Sequence, residues 1–437
     1  MTRPTCRRLT LVAIAATVLT AATACTSSSD KNAASGGPII LSFLSYNYGT
    51  PDTGGQGTQQ LIDAFEAANP TIKIKPEGVA IADALTKART ETAAGSPPDV
   101  AQIGWSKLAA AYGTLPLTPV QDIPSPAEWS ASTAGISQPL LKAVEHRGKV
   151  AAMPYTLSTP TLFYNATLFQ KAGLDPAHPP TTVDAVQSAG LAIVKTGASG
   201  VYVDIANASK SDFLTQSVIA SNGGSLVSAD GKVTLDQPAA VEALTAMQRL
   251  TTSGAQPAVS ENDAIAAFKA GKLGMLVTST ALLSSLEAAS KGNFDLRTAA
   301  MPGFAGKKPH TTFSGAGLIV LARDEAHRQA AWQFVKFLTS AQGFRIITSK
   351  IGYLPLRPEL IKDPNYLAPY YAKDARIGPA LAQLESVTPY TFFSGNQAAQ
   401  AVATLQDDAV EPIVMHGADP ASTLARVAKQ IRSMTGQ

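Results

Sequence analysis

The chain has 437 residues, 45% of them hydrophobic and 15% charged, which is enough to bury the cores of two lobes without covalent staples. Its 35 basic residues outnumber 32 acidic ones by three, and Arg3, Arg7 and Arg8 account for that difference, so the rest of the chain is formally neutral. No basic excess or stripe remains, which excludes charge-driven binding to nucleic acid or to an anionic membrane.

Those three arginines precede an apolar run from Leu9 to Ala24, rich in Ala, Leu and Val. The pattern predicts a signal peptide over residues 1 to 24, because spanning the hydrocarbon of a bilayer takes about 20 apolar residues. It ends in Ala22, Thr23, Ala24, Cys25, which resembles the lipobox of bacterial lipoproteins. That resemblance implies lipidation of Cys25, although Ala22 stands where leucine is commonest; the alternative is an ordinary leader with a cysteine near its end. Residues 26 to 37 (TSSSDKNAASGG) have nothing to bury and read as a flexible tether, so that Cys25 and the tether together cover 25–37. Cys6 and Cys25 are the only cysteines, so the part beyond the tether has neither a disulfide nor thiol chemistry.

Beyond the tether, Ile39 to Ser45 is a predicted strand running into Tyr46, Asn47, Tyr48 and a Gly/Thr/Asp loop. Leu61, Ile62, Phe65 and Ala68 recur at helical spacing, and Asn69 with Pro70 ends that segment. A strand at Ile72 to Ile74, a helix at Ile81 to Ala94, a strand at Val100 to Ile103 and a helix at Ser106 to Tyr112 follow. The alternation predicts an α/β layer with a mostly parallel sheet, and the length predicts two such layers. The second half repeats it. Strands are expected at Thr161 to Tyr164, Val201 to Ile205, Gly274 to Val277 and Gly317 to Leu321. Helices are expected at Ala166 to Ala172, Val183 to Val194, Ser211 to Ser221, Pro238 to Thr251, Glu261 to Ala270 and Glu325 to Leu338.

The stretch MPYTLSTPTLFYNATLFQKAGLD, Met153 to Asp175, resembles the family 1 extracellular solute-binding proteins of ABC importers, in which a strand crosses between lobes, ends in "YN" and leads to a helix ending in "AGL". Tyr164, Asn165 and Ala172 to Leu174 match directly. In the family's order come also Phe65 to Pro70 (FEAANP), Ser314 to Val320 (SGAGLIV), the helix Trp332 to Leu338 (WQFVKFL), Gly352 to Arg357 (GYLPLR) and the C-terminal HGADPASTLARVAKQI. Within the family the likeness is to actinobacterial receptors for sugars and glycerol-phosphate derivatives.

The resemblance implies an α/β, two-lobed, cluster-B-like periplasmic-binding-protein fold whose discontinuous lobes are joined by three crossovers, near Ala151 to Ser158, Asp295 to Pro302 and Ser349 to Pro355. Lobe 1 is then 38–152 and 303–350, and lobe 2 is 153–302 and 351–437. The implied function is capture of a carbohydrate or amino-sugar-like ligand between the lobes and its delivery to the permease of an ABC importer. The implied setting is the outer face of the cytoplasmic membrane, with the protein monomeric, lipid-anchored and without cofactor, metal or nucleic-acid partner.

A cleft of this kind needs polar groups on both walls that complete their hydrogen bonds on closure, and a sugar ring suits aromatic faces with hydroxyl, amide and carboxylate groups. Tyr46, Asn47 and Tyr48 stand at a strand's C-terminal end, where open α/β sheets place ligands; a core-capping role for Tyr48 is the alternative. Trp105 follows a strand at a position where the family offers an aromatic or acidic residue, against a buried structural tryptophan. Ser158 and Thr159 lie at the crossover. Gly315 and Ala316 offer backbone N–H groups, against simple hinge packing, and Tyr353 and Ser279 complete the strand-end candidates. Asp204, Asn207 and Asp212 lie between a strand and a helix and offer carboxylate or amide groups, with helix capping as the alternative for Asp212. Where glycerol-phosphate receptors of the family carry an arginine, this chain offers Asn396 and Gln397, which weakens phosphate recognition.

An enzyme is the competing reading. There is no Gly-x-Ser-x-Gly elbow, and the closest string, Phe313 to Gly317, lacks the first glycine. The five histidines, His146, His178, His310, His327 and His416, lack metal-ligand spacing, and no P-loop surrounds Gly231 and Lys232. A carboxylate pair for glycoside hydrolysis needs only to converge in space, so the sequence leaves that reading open, together with a glycerophosphodiester receptor and a surface adhesin without a deep cleft.

Overall fold

A computed structural model describes residues 37–384, 387–388, 390–395 and 397–437. The predicted leader, Cys25, nearly all of the tether, and Asn396 lie outside the described residues.

The strands, in chain order, are β1 (Ile39–Ser45), β2 (Ile72–Gly78), β3 (Val100–Gly104), β4 (Glu145–His146), β5 (Lys149–Val150), β6 (Met153–Ser158), β7 (Pro160–Asn165), β8 (Ser199–Val203), β9 (Leu273–Ser279), β10 (Leu296–Ala300) and β11 (Ser314–Val320). One sheet has the order β2-β1-β3-β11-β6 and a second the order β10-β7-β9-β8, with β4 and β5 forming a small separate pair. The expected mostly parallel sheet is corrected to mixed ones. β1 is parallel to β2 and β3, but β11 is antiparallel to both β3 and β6. In the second sheet β8 and β9 are parallel, whereas β7 is antiparallel to β9 and β10. The antiparallel members arise because the chain enters one sheet from the other, where no helix intervenes to turn it round.

The helices flanking the first sheet follow from local chemistry. Asp52 caps the helix Thr53–Ala68 by accepting the Gly54 N–H at 3.2 Å, and Leu61, Ile62 and Phe65 form its buried face. Asp324 caps the helix Glu325–Leu338 by accepting the His327 N–H at 2.9 Å. The buried Phe334 of that helix meets Phe43 of β1 and Phe65 edge-on, with centroids 5.1 and 5.0 Å apart, a favoured geometry for aromatic pairs. The "YN…AGL" stretch is structural: Asn165 Oδ1 accepts the Leu168 N–H at 3.0 Å to start the helix Ala166–Lys171. Gly173, at φ 76°, supplies the left-handed residue that ends it.

Three passages link the two sheets. The first is a single residue, Thr159, between β6 and β7. The second follows β10, which belongs wholly to the second sheet, so the chain changes sheet between Ala300 and Ser314, a passage that begins at the end of the expected Asp295 to Pro302 stretch. The third follows a π-type turn at Ile347–Ile351; Gly352 there has φ 108°, and the Leu354 N–H donates to the Leu157 carbonyl at 2.8 Å. Downstream, the helix Gly378–Gln383 packs on β10 and β7.

Candidate functional site

The parallel strands of both sheets end on the same side as the Thr159 link, so residues after β1, β6, β8 and β9 converge there. They line a cavity of about 400 Å³ with Tyr46, Ser158, Gly315 and Tyr353 from the first sheet's side and Asp204, Asn207 and Ser279 from the second's. The backbone around Ala80 to Ala82, with Ile81 44% exposed, forms part of its rim. An adjoining cavity of about 240 Å³ shares Tyr46 and Tyr353 and adds Asn47.

On the first wall, Tyr353 donates its hydroxyl to Asn47 Oδ1 at 3.1 Å, and Ser45 Oγ donates to Gln102 Oε1 at 2.7 Å. Burial pushes the Tyr46 phenol up to about 12, with Thr156, Tyr353 and Gln102 beside it pulling the other way. It therefore stays a neutral hydrogen-bonding group. Ser158 lines the cavity and its hydroxyl reaches the Ser314 carbonyl at 3.4 Å. Gly315 has φ 151°, and an added Cβ there would strike the backbone of Thr156, so β11 can pass β6 closely only with glycine at this position.

The second wall carries charge. Asp204 follows β8 and is 6% exposed; its Oδ2 accepts the Thr278 hydroxyl at 2.8 Å, while Oδ1 has no hydrogen-bond partner among the described residues. Burial holds its carboxyl well above the usual range, and the Glu261 charge adds to this. Glu261, at the start of the helix Glu261–Lys269, also lines the cavity, accepts the Ala208 N–H at 2.9 Å and is itself raised by burial. The sequence reading took Glu261 only as a helix start. Ser260 caps that helix, and first-turn acidic residues have a sufficient local reason to be there, so nothing local marked it. Thr278, Asn262 and Phe213 were likewise missed.

Other candidates are placed differently. Tyr48 is half-buried outside both cavity linings, donating its N–H to Ser45 Oγ at 3.2 Å. Trp105 is a core residue, 1% exposed and edge-on to Phe313 at 5.0 Å. Thr159 is fully buried in the link, where its N–H donates to Thr280 Oγ1 at 2.9 Å. Asn207 lines the cavity but is consumed by its own loop, accepting from Ser209 Oγ at 2.6 Å and Ser211 N at 2.9 Å and donating to the Ser211 carbonyl at 2.8 Å. Asp212 is buried against Gln216 and Tyr390. Ala316 is fully buried, and Gln397 is exposed before the helix Ala398–Leu405.

Two mixed α/β lobes, three passages and a polar cavity at converging strand ends define a two-lobed binding protein. Residues 49–343 match the family model described as bacterial extracellular solute-binding protein, and the chain belongs to that family. The family consists of exported binding proteins rather than enzymes. A binding protein of Brucella abortus is 25% identical over 376 residues, covering 82% of this chain and 88% of its own. The sn-glycerol-3-phosphate-binding periplasmic protein of Escherichia coli is 24% identical over 358 residues, covering 78% and 80%. Among solved structures, the Mycobacterium tuberculosis UgpB in complex with glycerophosphocholine has a TM-score of 0.77 at 24% identity, covering 91% of this chain and 98% of its own. The GacH receptor of Streptomyces glaucescens, solved with and without acarbose, has a TM-score of 0.77 at 21% identity, covering 92% and 99%.

Proposed function

We propose that the protein is the receptor of an ABC importer that captures a carbohydrate-like ligand, neutral or aminated, in the cavity between its lobes. The observation that carries this reading is the lining itself. It combines Tyr46 and Tyr353 with Ser158, Ser279, Asp204 and Glu261, and no Lys, Arg or His is part of it. Tyrosine faces and side-chain acceptors match a sugar ring's apolar face and hydroxyl fringe. A phosphodiester wants a guanidinium or ammonium partner, and this lining provides none, which disfavours the glycerophosphodiester reading that two of the relatives suggest. Ligand contact with both walls favours the closed form, and a permease that recognises that form receives only loaded receptor. In this reading Cys25 carries a lipid that holds the monomeric receptor at the outer face of the cytoplasmic membrane through the tether.

A thermal-shift screen of the purified protein against saccharides, amino sugars, glycerophosphodiesters and peptides tests the reading, with product analysis of each hit. A folded-state ligand raises the melting temperature with the logarithm of its concentration over Kd. The expected result is a shift by one saccharide class recovered unchanged. A shift by phosphodiesters or peptides alone, or a consumed hit, overturns it.

A further inference from the structure

We propose that Asp204 and Glu261 form a niche for a cationic amino group, so that the ligand is an aminated saccharide bound through its ammonium. This rests on the carbohydrate-receptor reading and narrows it.

Asp204 lines the cavity at 6% exposure; its Oδ1 is buried and lacks a partner among the described residues, while its other oxygen holds the Thr278 hydroxyl at 2.8 Å. Glu261 lines the same cavity and spends one oxygen on the Ala208 N–H at 2.9 Å. Two carboxyls on one low-dielectric wall repel each other, and a side chain that loses hydration without gaining a partner is costly. Proteins normally relieve such a pair with a nearby lysine or arginine. The basic residue of this loop, Lys210, is instead engaged by Asp407 at 2.6 Å and Glu411 at 3.2 Å, and it does not line the cavity. An ammonium in the cavity supplies the positive charge that lets both carboxyls ionise side by side. Neutral hydroxyls satisfy hydrogen bonds but do not offset that repulsion. A metal ion fits less well than an ammonium, because among the described residues no group of three His, Cys, Asp or Glu side chains assembles. An ammonium brings three donors on one compact charge, enough for the Asp204 and Glu261 carboxyls and for a hydroxyl such as that of Ser279, which lines the same cavity.

The test is calorimetric titration of the purified protein with glucosamine, galactosamine and mannosamine, each beside its N-acetyl derivative and its parent hexose, and with Ca²⁺ alone. The free amine should bind at least about tenfold more tightly than its N-acetyl partner, the difference between a charge-assisted and a neutral hydrogen bond. Glu261→Gln, which keeps an acceptor for Ala208, should shrink that preference, lowering the affinity for the free amine by a larger factor than the affinity for the parent hexose. Hexoses that bind as well as their amines, with Glu261→Gln without effect on the ratio, overturn the cation niche and leave the receptor reading standing. A response to Ca²⁺ alone that is lost in Glu261→Gln makes the pair a metal site and overturns the proposal. Binding by no saccharide of any kind overturns both readings.

Discussion

Tyr353 donates its hydroxyl to Asn47 Oδ1 across 3.1 Å, joining the last passage between the sheets to the end of β1. The bond matters because, among the described residues, the Asn47 amide nitrogen is buried without a partner of its own. Removing the hydroxyl takes away the hydrogen bond to Asn47 Oδ1. Tyr353→Phe should lower stability by about 1 to 3 kcal/mol, the cost of an orphaned buried polar group, and weaken ligand binding as well. Denaturant melts with and without ligand check both; an unchanged midpoint would mean that Asn47 finds another partner at once.

Asp204 sets stability against function. Its folded carboxyl ionises well above the ordinary value of 3.8, because of burial first and the Glu261 charge second. As pH rises past the ordinary value, the unfolded chain releases this proton while the native protein keeps it, so native stability falls with rising pH. Asp204→Asn removes that loss. Relative to the unsubstituted protein, the variant should gain nothing below about pH 4 and progressively more as the pH rises towards about 7, while losing ligand affinity. Urea melts at both pH values, beside ligand titration, measure the trade.

A second titrating group lies outside the cavity. Burial raises Glu287 to about 8, Asp374 adds to this, and Arg376 pulls the other way. By the same sign, stability should decline as pH climbs from the ordinary value of 4.5 towards about 8. Glu287→Gln should flatten that decline, and melting temperatures taken between about pH 5 and 9 read it directly.

Asp52 at the head of the helix Thr53–Ala68 and Lys269 at the tail of the helix Glu261–Lys269 approach to 3.6 Å, joining a helix that packs on the first sheet to one that packs on the second. Both are about one-third exposed, so the pair is screened and worth less than about 1 kcal/mol. Lys269→Ala should weaken ligand binding no more than about fivefold at low salt, and the difference should vanish at high salt. Titrations at two ionic strengths decide this.

Gly315→Ala should be among the most damaging single-methyl additions. Its Cβ meets the carbonyl of Thr156 in the neighbouring strand, at a φ of 151° that L side chains rarely adopt. The expected loss exceeds about 1 kcal/mol and shows as lower soluble yield and melting temperature.

Periodicity, caps and breakers made the helices readable. Ile39 to Ser45 and Leu61 to Phe65 carry strand and helix patterns that tertiary packing did not override. Strand direction was not readable, since β11 and β7 look like buried strands whichever way they run, and only the long-range pairing orients them. The cavity lining includes Tyr46, read at a strand end, Ser158, read at the crossover, and Asp204, read between a strand and a helix. Trp105, for which a buried structural role was the alternative, packs in the core. Glu261 stayed hidden because its role depends on Asp204, 57 positions earlier in the sequence, and no local pattern encodes that meeting.

Thr159, the one residue between β6 and β7, is followed by Pro160. The ring fixes its own φ and confines Thr159 to extended conformations, leaving few soft torsions in the shortest tie between the two sheets. In the proposed closure this link leaves little slack for translation, so the movement beside it is mostly angular. The stroke is then set by lever length: dyes attached far from Thr159 would sweep a wide arc, and dyes beside it would hardly move, which makes the chain a natural frame for an optical sensor of its own ligand.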